Sequence, residues 1–479
     1  MVTRPVRAPS KLYESIAARL AAQLEDGTYR PGDRLPSVRE LSRRLGAGVS
    51  TVREAYASLM DRRLVESRPQ TGYFVRRSQR TPIPPAMSKP LVRPIAVSTS
   101  QIAMAVVRAS AQPGIVAFGS AVPSDDFDGP RRVHEILARK AREWGARGGA
   151  YEAPPGYLPL REQLARRGVD AGCAFSPDDV VVTSGCQEAL VLCLRAVASA
   201  GDTVAVESPT YYGTLHAIRA LGLRAIEIPT HPETGISLEA LEMALDEWPV
   251  KACVLTANGN NPLGTVMPDD RKQALLALLE AHDVPLVEDD IYGDLIYGAA
   301  RPKAVKAWDR QGRVLLCSSV SKSLAPGLRV GWAVPGRYLE QVTHLKLVTS
   351  MATATLPQIA VAAFLDSGYE RHLRTARLAY QQRRDQFLDL VATHFPAETR
   401  VTRPSGGFVA WLELPRKQDS VELYAEALKL GVSVAPGPLF SARERYRNFI
   451  RINYGHAWDA RTTEALAALG RLVREGHGA

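Results

Sequence analysis

The first 75 residues have the hydrophobic spacing of three helices followed by a hairpin. Apolar residues recur at helical intervals over residues 12–24, which predicts the first helix. A turn then leads to Ser37, which is placed to cap a second helix, with Glu40 at the capping-box position. A third helix is expected with Ser50 as its cap, and two short strands follow around a glycine-containing turn. This order of elements predicts a mostly α-helical winged helix-turn-helix domain over residues 1–76.

The pattern changes along the next part of the chain. Residues 77–97 are basic and rich in proline, with no amphipathic period, which predicts a linker. From residue 98 to residue 479, short apolar runs alternate with helix-like segments. Strands that alternate with helices predict a second domain of the α/β class, with a central, mostly parallel sheet covered on both faces. The apolar runs that predict strands begin at residues 180, 203, 251, 284, 313 and 330.

The net charge is concentrated in the first fifth of the chain. The 479 residues carry a net charge of +10. Residues 1–97 contain 18 Lys and Arg and 8 Asp and Glu, whereas the remainder contains 42 of each sign. A basic module beside a neutral domain favours a polyanion as the partner of that module. The alternative on charge alone is a basic, solvated surface without a partner.

Composition argues against several classes of protein. The five scattered cysteines form neither a disulfide framework nor a CxxC motif, so no metal site is expected. No apolar run reaches the ~18 residues needed to cross a bilayer, so no membrane association is expected. The basic N-terminus also lacks the apolar stretch of a secretory signal. These observations predict a cytoplasmic protein with reduced thiols.

Polar side chains follow the ends of the predicted strands, where α/β folds collect their chemistry. Lys322 follows one strand, and a nucleophilic lysine needs the lowered pKa that burial and nearby cations provide. Asp289 ends another strand, where a buried carboxylate needs a cationic partner. Each residue alone is also compatible with turn chemistry or a core position, but their joint occurrence favours one site. The other members are Gly185, Cys186, Gln187, Tyr211, Asn261, Tyr292, Ser319 and Arg329.

Several of these segments resemble a known family. SGCQEAL, NGNNPLG, EDDIYGDL, SSVSKSLAPGLRVGW and FIRINYG are similar to motifs of fold-type I pyridoxal 5'-phosphate (PLP) enzymes, the aspartate aminotransferase superfamily. The resemblance runs from Phe118 to the C-terminus and implies the PLP-dependent transferase fold type I, with a smaller α+β subdomain. NNPLG departs from the usual NNPTG, but this change removes no expected cofactor contact.

The resemblance also implies a role for each residue. Lys322 would form the Schiff base with PLP, and Asp289 would pair with the pyridinium nitrogen. Arg451 would bind the carboxylate of a substrate or effector. Tyr151 would reach the phosphate of the neighbouring subunit, which implies a homodimer. The other PLP contacts would be Tyr292 and Asn261 at the ring hydroxyl, Tyr211 on the ring face, and Gly185, Cys186, Gln187, Ser319 and Arg329 at the phosphate.

The N-terminal pattern resembles the winged domain of the GntR regulators, and the segment from PGDRLPS to TGYFV carries the similarity. The residues implied to face DNA are Arg39, Ser50, Thr51, Arg53, Gln70, Thr71 and Gly72. A GntR-type domain joined to an aminotransferase-like domain resembles the MocR subfamily. This implies a transcriptional regulator that binds double-stranded operator DNA and senses PLP, an amino-acid-like effector, or both. The alternative is a metabolic PLP-dependent aminotransferase with an accessory N-terminal module, and a residual aminotransferase half-reaction is compatible with either.

Overall fold

The computed structural model describes residues 12–25, 28–29, 33–61, 64–68, 71–75, 82–89, 92–97, 102–298 and 300–476. The chain divides into two compact units, Met1–Arg80 and Thr81–Ala479. In the described part of the chain, no helix is long and apolar enough to cross a membrane.

The N-terminal unit has the predicted winged helix-turn-helix order. Its elements are α1 (Leu12–Glu25), α2 (Val38–Leu45), α3 (Val49–Asp61), β1 (Val65–Arg68) and β2 (Gly72–Val75). The two strands pair in antiparallel register, with Val65 opposite Val75. The apolar positions that predicted the helices form one buried cluster, which includes Ile16, Leu20, Leu41, Val52, Tyr56 and Leu59.

The two predicted helix caps have different outcomes. The Ser37 side chain accepts a hydrogen bond from the Glu40 backbone N–H at 3.2 Å and caps α2, as predicted. The prediction for Ser50 is wrong, because α3 already begins at Val49. The carbonyl of Gly48 accepts from the Val52 N–H at 3.1 Å, which places Ser50 inside the first turn of the helix.

Tyr56, on α3, packs against the hairpin. Its hydroxyl donates to the Pro36 carbonyl at 2.6 Å, and its ring stacks on that of Tyr73 with centroids 4.3 Å apart. The Leu35 N–H also donates to the Tyr73 carbonyl at 2.8 Å. The hairpin is therefore fixed against the helices by contacts that the strand pattern alone does not reveal.

The C-terminal unit is built on a nine-stranded mixed sheet with the order β3-β7-β6-β9-β10-β11-β12-β5, and β8 beside β7. Strands β7, β6, β9, β10 and β11 run parallel to one another, whereas β12 is antiparallel to both of its neighbours, and β3 and β8 pair with β7 in antiparallel register. The strands are β3 (Ile95–Ala96), β5 (Val181–Thr183), β6 (Thr203–Ser208), β7 (Arg224–His231), β8 (Gly235–Ile236), β9 (Val250–Leu255), β10 (Leu286–Asp289), β11 (Val314–Ser319) and β12 (Gly331–Val334).

All six apolar runs are strands of the large sheet, whereas its strands β3, β7 and β8 were not predicted. Strand β3 lies within the predicted linker, so part of that segment is an ordered edge of the sheet. A smaller antiparallel sheet has the order β13-β14-β17-β16 and matches the implied subdomain. The remaining strands are β4 (Val116–Ala117), β13 (Arg400–Val401), β14 (Val409–Glu413), β15 (Val432–Ser433), β16 (Ala435–Pro436) and β17 (Phe449–Asn453).

Helices cover both faces of the large sheet, as its continuous apolar strands predict. On β6, Val204 and Val206 pack in a cluster with α7 and α8, whereas Ala205 packs in another with α9 and α10. The helices of this unit are α4 (Ile102–Ser110), α5 (Asp128–Trp144), α6 (Leu158–Gly168), α7 (Cys186–Val197), α8 (Tyr212–Ala220), α9 (Leu238–Glu247), α10 (Asp269–Ala281), α11 (Leu339–Ser350), α12 (Thr355–Ser367), α13 (Tyr369–His394), α14 (Ser420–Lys429) and α15 (Ala460–Glu475).

Candidate functional site

A cavity of about 160 Å³ brings together most of the predicted site residues, including those at the carboxyl ends of β10 and β11. The predicted residues that line it are Cys186, Gln187, Tyr211, Asn261, Asp289, Tyr292, Lys322 and Arg329. The lining residues that the sequence did not indicate are Leu190, Thr256, Ile291 and Ser321. Residues that are distant along the chain thus meet at the carboxyl ends of the parallel strands of the large sheet.

Lys322 presents its amine to this cavity. Its Nζ donates to the Ala121 carbonyl at 2.5 Å, a contact without a sequence signature because the acceptor is a backbone oxygen. Burial and the positive charge of Arg451 lower the pKa of Lys322 to about 8, although Asp289 opposes them. At pH 7, about one amine in ten is therefore neutral and nucleophilic.

The loop that carries Lys322 is held by the residue that follows it. The Tyr369 hydroxyl donates to the Ser323 Oγ at 2.5 Å, and the His372 Nε2 lies 2.6 Å from the Ser323 carbonyl oxygen. Both partners are on α13, so this helix fixes the position from which the amine enters the cavity.

Asp289 is the last residue of β10, and its side chain lies in the same cavity. The Oδ1 accepts from the Cys186 thiol at 3.4 Å and from the Ile291 N–H at 3.1 Å. Burial raises the pKa of Asp289 to about 6. Because both of these donors are neutral, a cation on the cavity side would stabilise the ionised carboxylate.

The Tyr292 hydroxyl is a buried polar group that lacks a hydrogen-bond partner within the described part of the chain. Such a group costs about 1–3 kcal/mol unless a ligand supplies the partner. Asn261 lies on the same cavity, and its Oδ1 accepts from the Arg451 Nη1 at 3.3 Å. These two side chains therefore offer polar atoms to an occupant of the cavity.

The end of the cavity at α7 combines a helix N-terminus with a nearby guanidinium, two groups that suit an anion. Gly185 is the N-cap residue of this 12-residue helix and has φ 91°, so it lies in the left-handed region. A Cβ at Gly185 would lie 2.5 Å from the Arg329 Nη2, which shows how closely the guanidinium approaches the loop. Arg329 also donates to the Ser184 carbonyl at 2.7 Å. The first N–H groups of α7, at Cys186 and Gln187, complete this end of the cavity.

Arg451 is fully buried on β17 behind the cavity. It donates to the Gly119 carbonyl and to Asn261, and its guanidinium lies 5.2 Å from the centre of the Phe440 ring. Its Nε has no hydrogen-bond partner among the residues that the structure describes. A buried cation with a free donor is suited to a ligand carboxylate, although Arg451 does not itself line the cavity.

Three further residues were predicted to contact PLP, and only one of them lines the cavity. Tyr211 lines the cavity as the N-cap residue of α8, and its ring centroid is 4.8 Å from that of Tyr212. Ser319 is buried outside the cavity lining, where its Oγ accepts from the Ser321 N–H at 3.2 Å. Tyr151 is 83% exposed and also lies outside the lining, so the contact implied for it needs a second subunit.

The residues predicted to face DNA lie on the N-terminal unit. Arg39 on α2 and Arg53 on α3 are exposed, and Ser50 and Thr51 belong to the first turn of α3. Thr71 and Gly72 form the described part of the hairpin turn, whereas Gln70 lies outside the described residues. The exposed Arg34 was not predicted, yet its Nε would lie 3.4 Å from a Cβ at Gly72. It reaches the turn because it bridges to Phe74, a pairing that the sequence does not reveal.

Comparison with protein families accounts for both units. Residues 124–469 match the model for aminotransferase class I and II, and residues 12–75 match the model for bacterial regulatory proteins of the gntR family. The uncharacterized HTH-type transcriptional regulator YjiR of Escherichia coli K12 is 41% identical over 96% of this chain and 98% of its own. The uncharacterized HTH-type transcriptional regulator YdcR of the same organism is 38% identical over 97% and 99%.

Solved structures resemble the C-terminal unit. The kynurenine aminotransferase of Pyrococcus horikoshii, in complex with PMP, superposes with a TM-score of 0.73 and 30% identity, and covers 80% of this chain and 96% of its own. The α-aminoadipate aminotransferase LysN of Thermus thermophilus, complexed with N-(5'-phosphopyridoxyl)-L-leucine, has a TM-score of 0.73 and 29% identity, over 79% and 96%. With its two matched domains and its relatives of nearly full length, the chain belongs to the MocR subfamily of GntR-type regulators, in which a winged helix-turn-helix is fused to an aminotransferase class I and II domain.

Proposed function

We propose that this chain is a PLP-dependent transcriptional regulator. Its N-terminal unit binds operator DNA, and its C-terminal unit holds PLP at Lys322 and senses PLP or an amino-acid-like effector. One observation carries the proposal: Lys322, Asp289 and Arg329 line a single cavity in a chain that also has a GntR-type domain. A DNA-binding regulator of this kind acts in the cytoplasm.

The chemistry of the cavity residues supports PLP as the occupant. Asp289 needs a cation, which a protonated ring nitrogen provides, and the unpartnered hydroxyl of Tyr292 needs the partner that a ring hydroxyl provides. The N-terminus of α7, with Arg329 beside it, suits a phosphate. When bound, PLP supplies an aldehyde that bonds to amines and a ring that accepts electrons.

The protein side chains then have separate tasks. Lys322 would hold the cofactor through its neutral amine, which burial and nearby cations make accessible near neutral pH. Asp289 would keep the ring nitrogen protonated, and Tyr211 would contribute its aromatic ring to the cofactor site. Arg451 binds the effector carboxylate and, through its charge, helps to keep the Lys322 amine neutral.

The assembly in this proposal is a homodimer, in which the exposed Tyr151, absent from the lining of its own cavity, would reach the phosphate in the second subunit. Two N-terminal modules in one dimer would also gain avidity on an operator with two half-sites. The second candidate function is that of a metabolic aminotransferase with an accessory module. It is favoured by the presence of Lys322, Asp289 and Arg451, which are the groups that a transamination half-reaction needs.

A footprint on the DNA upstream of the gene, run with and without PLP beside an amino-acid transamination assay, separates the two functions. The regulator predicts a protected site whose affinity responds to PLP. Absence of protection at moderate salt, together with sustained turnover of an amino donor, would favour the enzyme instead. Borohydride reduction followed by peptide mapping tests the site itself and should fix PLP on Lys322 rather than on another lysine.

A further inference from the structure

Residues 82–89 and 92–97, which we call the strap, are the first described residues of the C-terminal unit. In sequence they follow the N-terminal unit, which ends at Arg80. The Ile83 carbonyl accepts from the N–H of Val401, which belongs to β13 of the small sheet. The Ser88 Oγ donates to the carbonyl of Ser208, the last residue of β6 in the large sheet, at 2.9 Å. The strap therefore spans both sheets.

Further contacts hold the strap in place. Arg445 donates to the Lys89 carbonyl, and Arg224 donates to the Pro94 carbonyl, each at 3.2 Å. At its end, Ile95 pairs with Ala225 at the edge of the large sheet. These bonds fix a segment that composition alone would leave as a proline-rich linker.

A short segment, from Ser208 to Tyr211, connects the Ser88 contact to the cofactor cavity. Ser208 is three residues before Tyr211, whose side chain lines the cavity. Between them, the Thr210 N–H donates to the Phe440 carbonyl at 3.0 Å, so this piece is held by backbone bonds. The Ser208 Oγ also lies 2.7 Å from the Tyr446 hydroxyl, and Tyr446 is next in sequence to an arginine that binds the strap.

A second connection starts from the arginine expected to bind a carboxylate. Arg451 lies opposite Trp411 in the small sheet. Trp411 lines a cavity of about 230 Å³ whose other wall is formed by the strap, including Met87 and Ser88. The Trp411 ring also meets the ring of Tyr446, with centroids 5.8 Å apart. Tyr211 and Arg451 are thus each connected to the strap, the first through Ser208 and the second through Trp411.

We propose that docking of the strap at Ser88 is coupled to occupancy of the Lys322 cavity, so that the strap carries the occupancy signal to the DNA-binding unit. This inference rests on the proposed function. The differential contact is at the Tyr211 ring, which already packs on Tyr212 and would gain a second partner when PLP is bound. The segment from Ser208 to Tyr211 would pass that constraint to the strap. A ligand can shift such an equilibrium only through a contact of this kind. By linkage, operator binding must change PLP affinity by the same factor.

Hydrogen exchange of the full-length protein tests the coupling. Release of the strap is followed at the amide of Val401, whose N–H donates to the Ile83 carbonyl at 3.0 Å. Its exchange is measured with PLP bound and after PLP is removed by dialysis against hydroxylamine. Removal of PLP should speed exchange at Val401. Ser88→Ala should speed it in the PLP-bound protein by about 2- to 12-fold, the effect of one lost hydrogen bond. The matched control is Ser367→Ala, because the Ser367 Oγ also donates to a backbone carbonyl at 2.9 Å, within helix α12 and away from the strap.

Operator affinity, measured on the same samples, decides the functional part. PLP should change it by about fivefold or more in the wild type, and this response should shrink in Ser88→Ala but persist in Ser367→Ala. Tyr446→Phe, which keeps the ring and removes its bond to Ser208, should act in the same direction as Ser88→Ala.

The inference is wrong if Val401 exchanges equally fast with and without PLP, or if the operator affinity of Ser88→Ala keeps the full response to PLP. Absorbance of bound PLP and operator binding are recorded in every sample. If either is missing in the wild type, the proposed function fails and the inference falls with it. If PLP and operator both bind but exchange at Val401 does not respond to PLP, only the inference fails.

Discussion

The lowered pKa of Lys322 makes a quantitative prediction for the binding of PLP to the cofactor-free protein. A free lysine amine has a pKa of 10.5, whereas burial and the charge of Arg451 lower that of Lys322 to about 8. At pH 7, the neutral fraction therefore rises from about one in 3,000 to about one in eleven, a gain of about 300-fold. Since only the neutral amine can bond to an aldehyde, the attachment rate should rise with pH and level off above about pH 9.

The assay is stopped-flow absorbance of PLP mixed with the cofactor-free protein between pH 6 and pH 10. Nα-acetyl-lysine, measured in parallel, provides the correction for the titration of PLP itself. The corrected rate should have its midpoint near pH 8. Asp289→Asn removes a negative charge that raises the pKa of Lys322, so the midpoint should move to lower pH. A midpoint at pH 10 or above, as for the free amine, would refute the assigned environment.

The same shift has a consequence for stability, and its sign follows from proton binding. Between about pH 8 and the pKa of 10.5, the unfolded chain keeps the Lys322 proton that the folded protein has released. Stability of the cofactor-free protein due to this group should therefore rise with pH across that window and be constant above it. In Lys322→Met, which cannot ionise, this part of the pH dependence should be lost from the denaturant unfolding curves.

The other predictions concern the cofactor and DNA contacts. Asp289→Ala should raise the PLP dissociation constant by about 100-fold or more in equilibrium dialysis, because the ring nitrogen loses its charge partner in a buried site. Gly185→Ala should weaken PLP binding, whereas Gly201→Ala should not. The two glycines have φ 91° and φ 94°, but only the first has side-chain atoms where a Cβ would be. Arg39→Ala should lower the salt slope of operator binding by roughly 0.9 unit in titrations at several salt concentrations. Arg44→Ala, which removes an exposed arginine that pairs with a glutamate on the same helix, should leave that slope unchanged.

The cavity residues were predictable because parallel strands bring their carboxyl ends to one edge of a sheet. Lys322 and Asp289 each follow an apolar run that is easily read as a strand, so their meeting follows from topology. The Ala121 carbonyl could not be predicted, because every residue carries the same backbone oxygen. The role of Tyr151 also stays a prediction, because it depends on a second subunit.

Two other features could not be predicted from the sequence, because contacts outside the local pattern determine them. Strand β3 consists of two residues in a proline-rich segment, and only its pairing with β7 makes it a strand. Ser50 has the side chain of a helix cap, but the carbonyl of Gly48 accepts the first helical bond, so α3 starts earlier. Local sequence patterns therefore predicted most of the helices and strands. Backbone hydrogen bonds determined where α3 begins and made β3 a strand.

The operator affinity of Lys322→Ala, measured with and without PLP beside the wild type, shows directly whether PLP held at Lys322 controls DNA binding by the N-terminal unit. The wild type should change its operator dissociation constant by about fivefold or more when PLP is added. Lys322→Ala should bind the same operator but show no response to PLP. A variant that responds to PLP as strongly as the wild type would contradict the account.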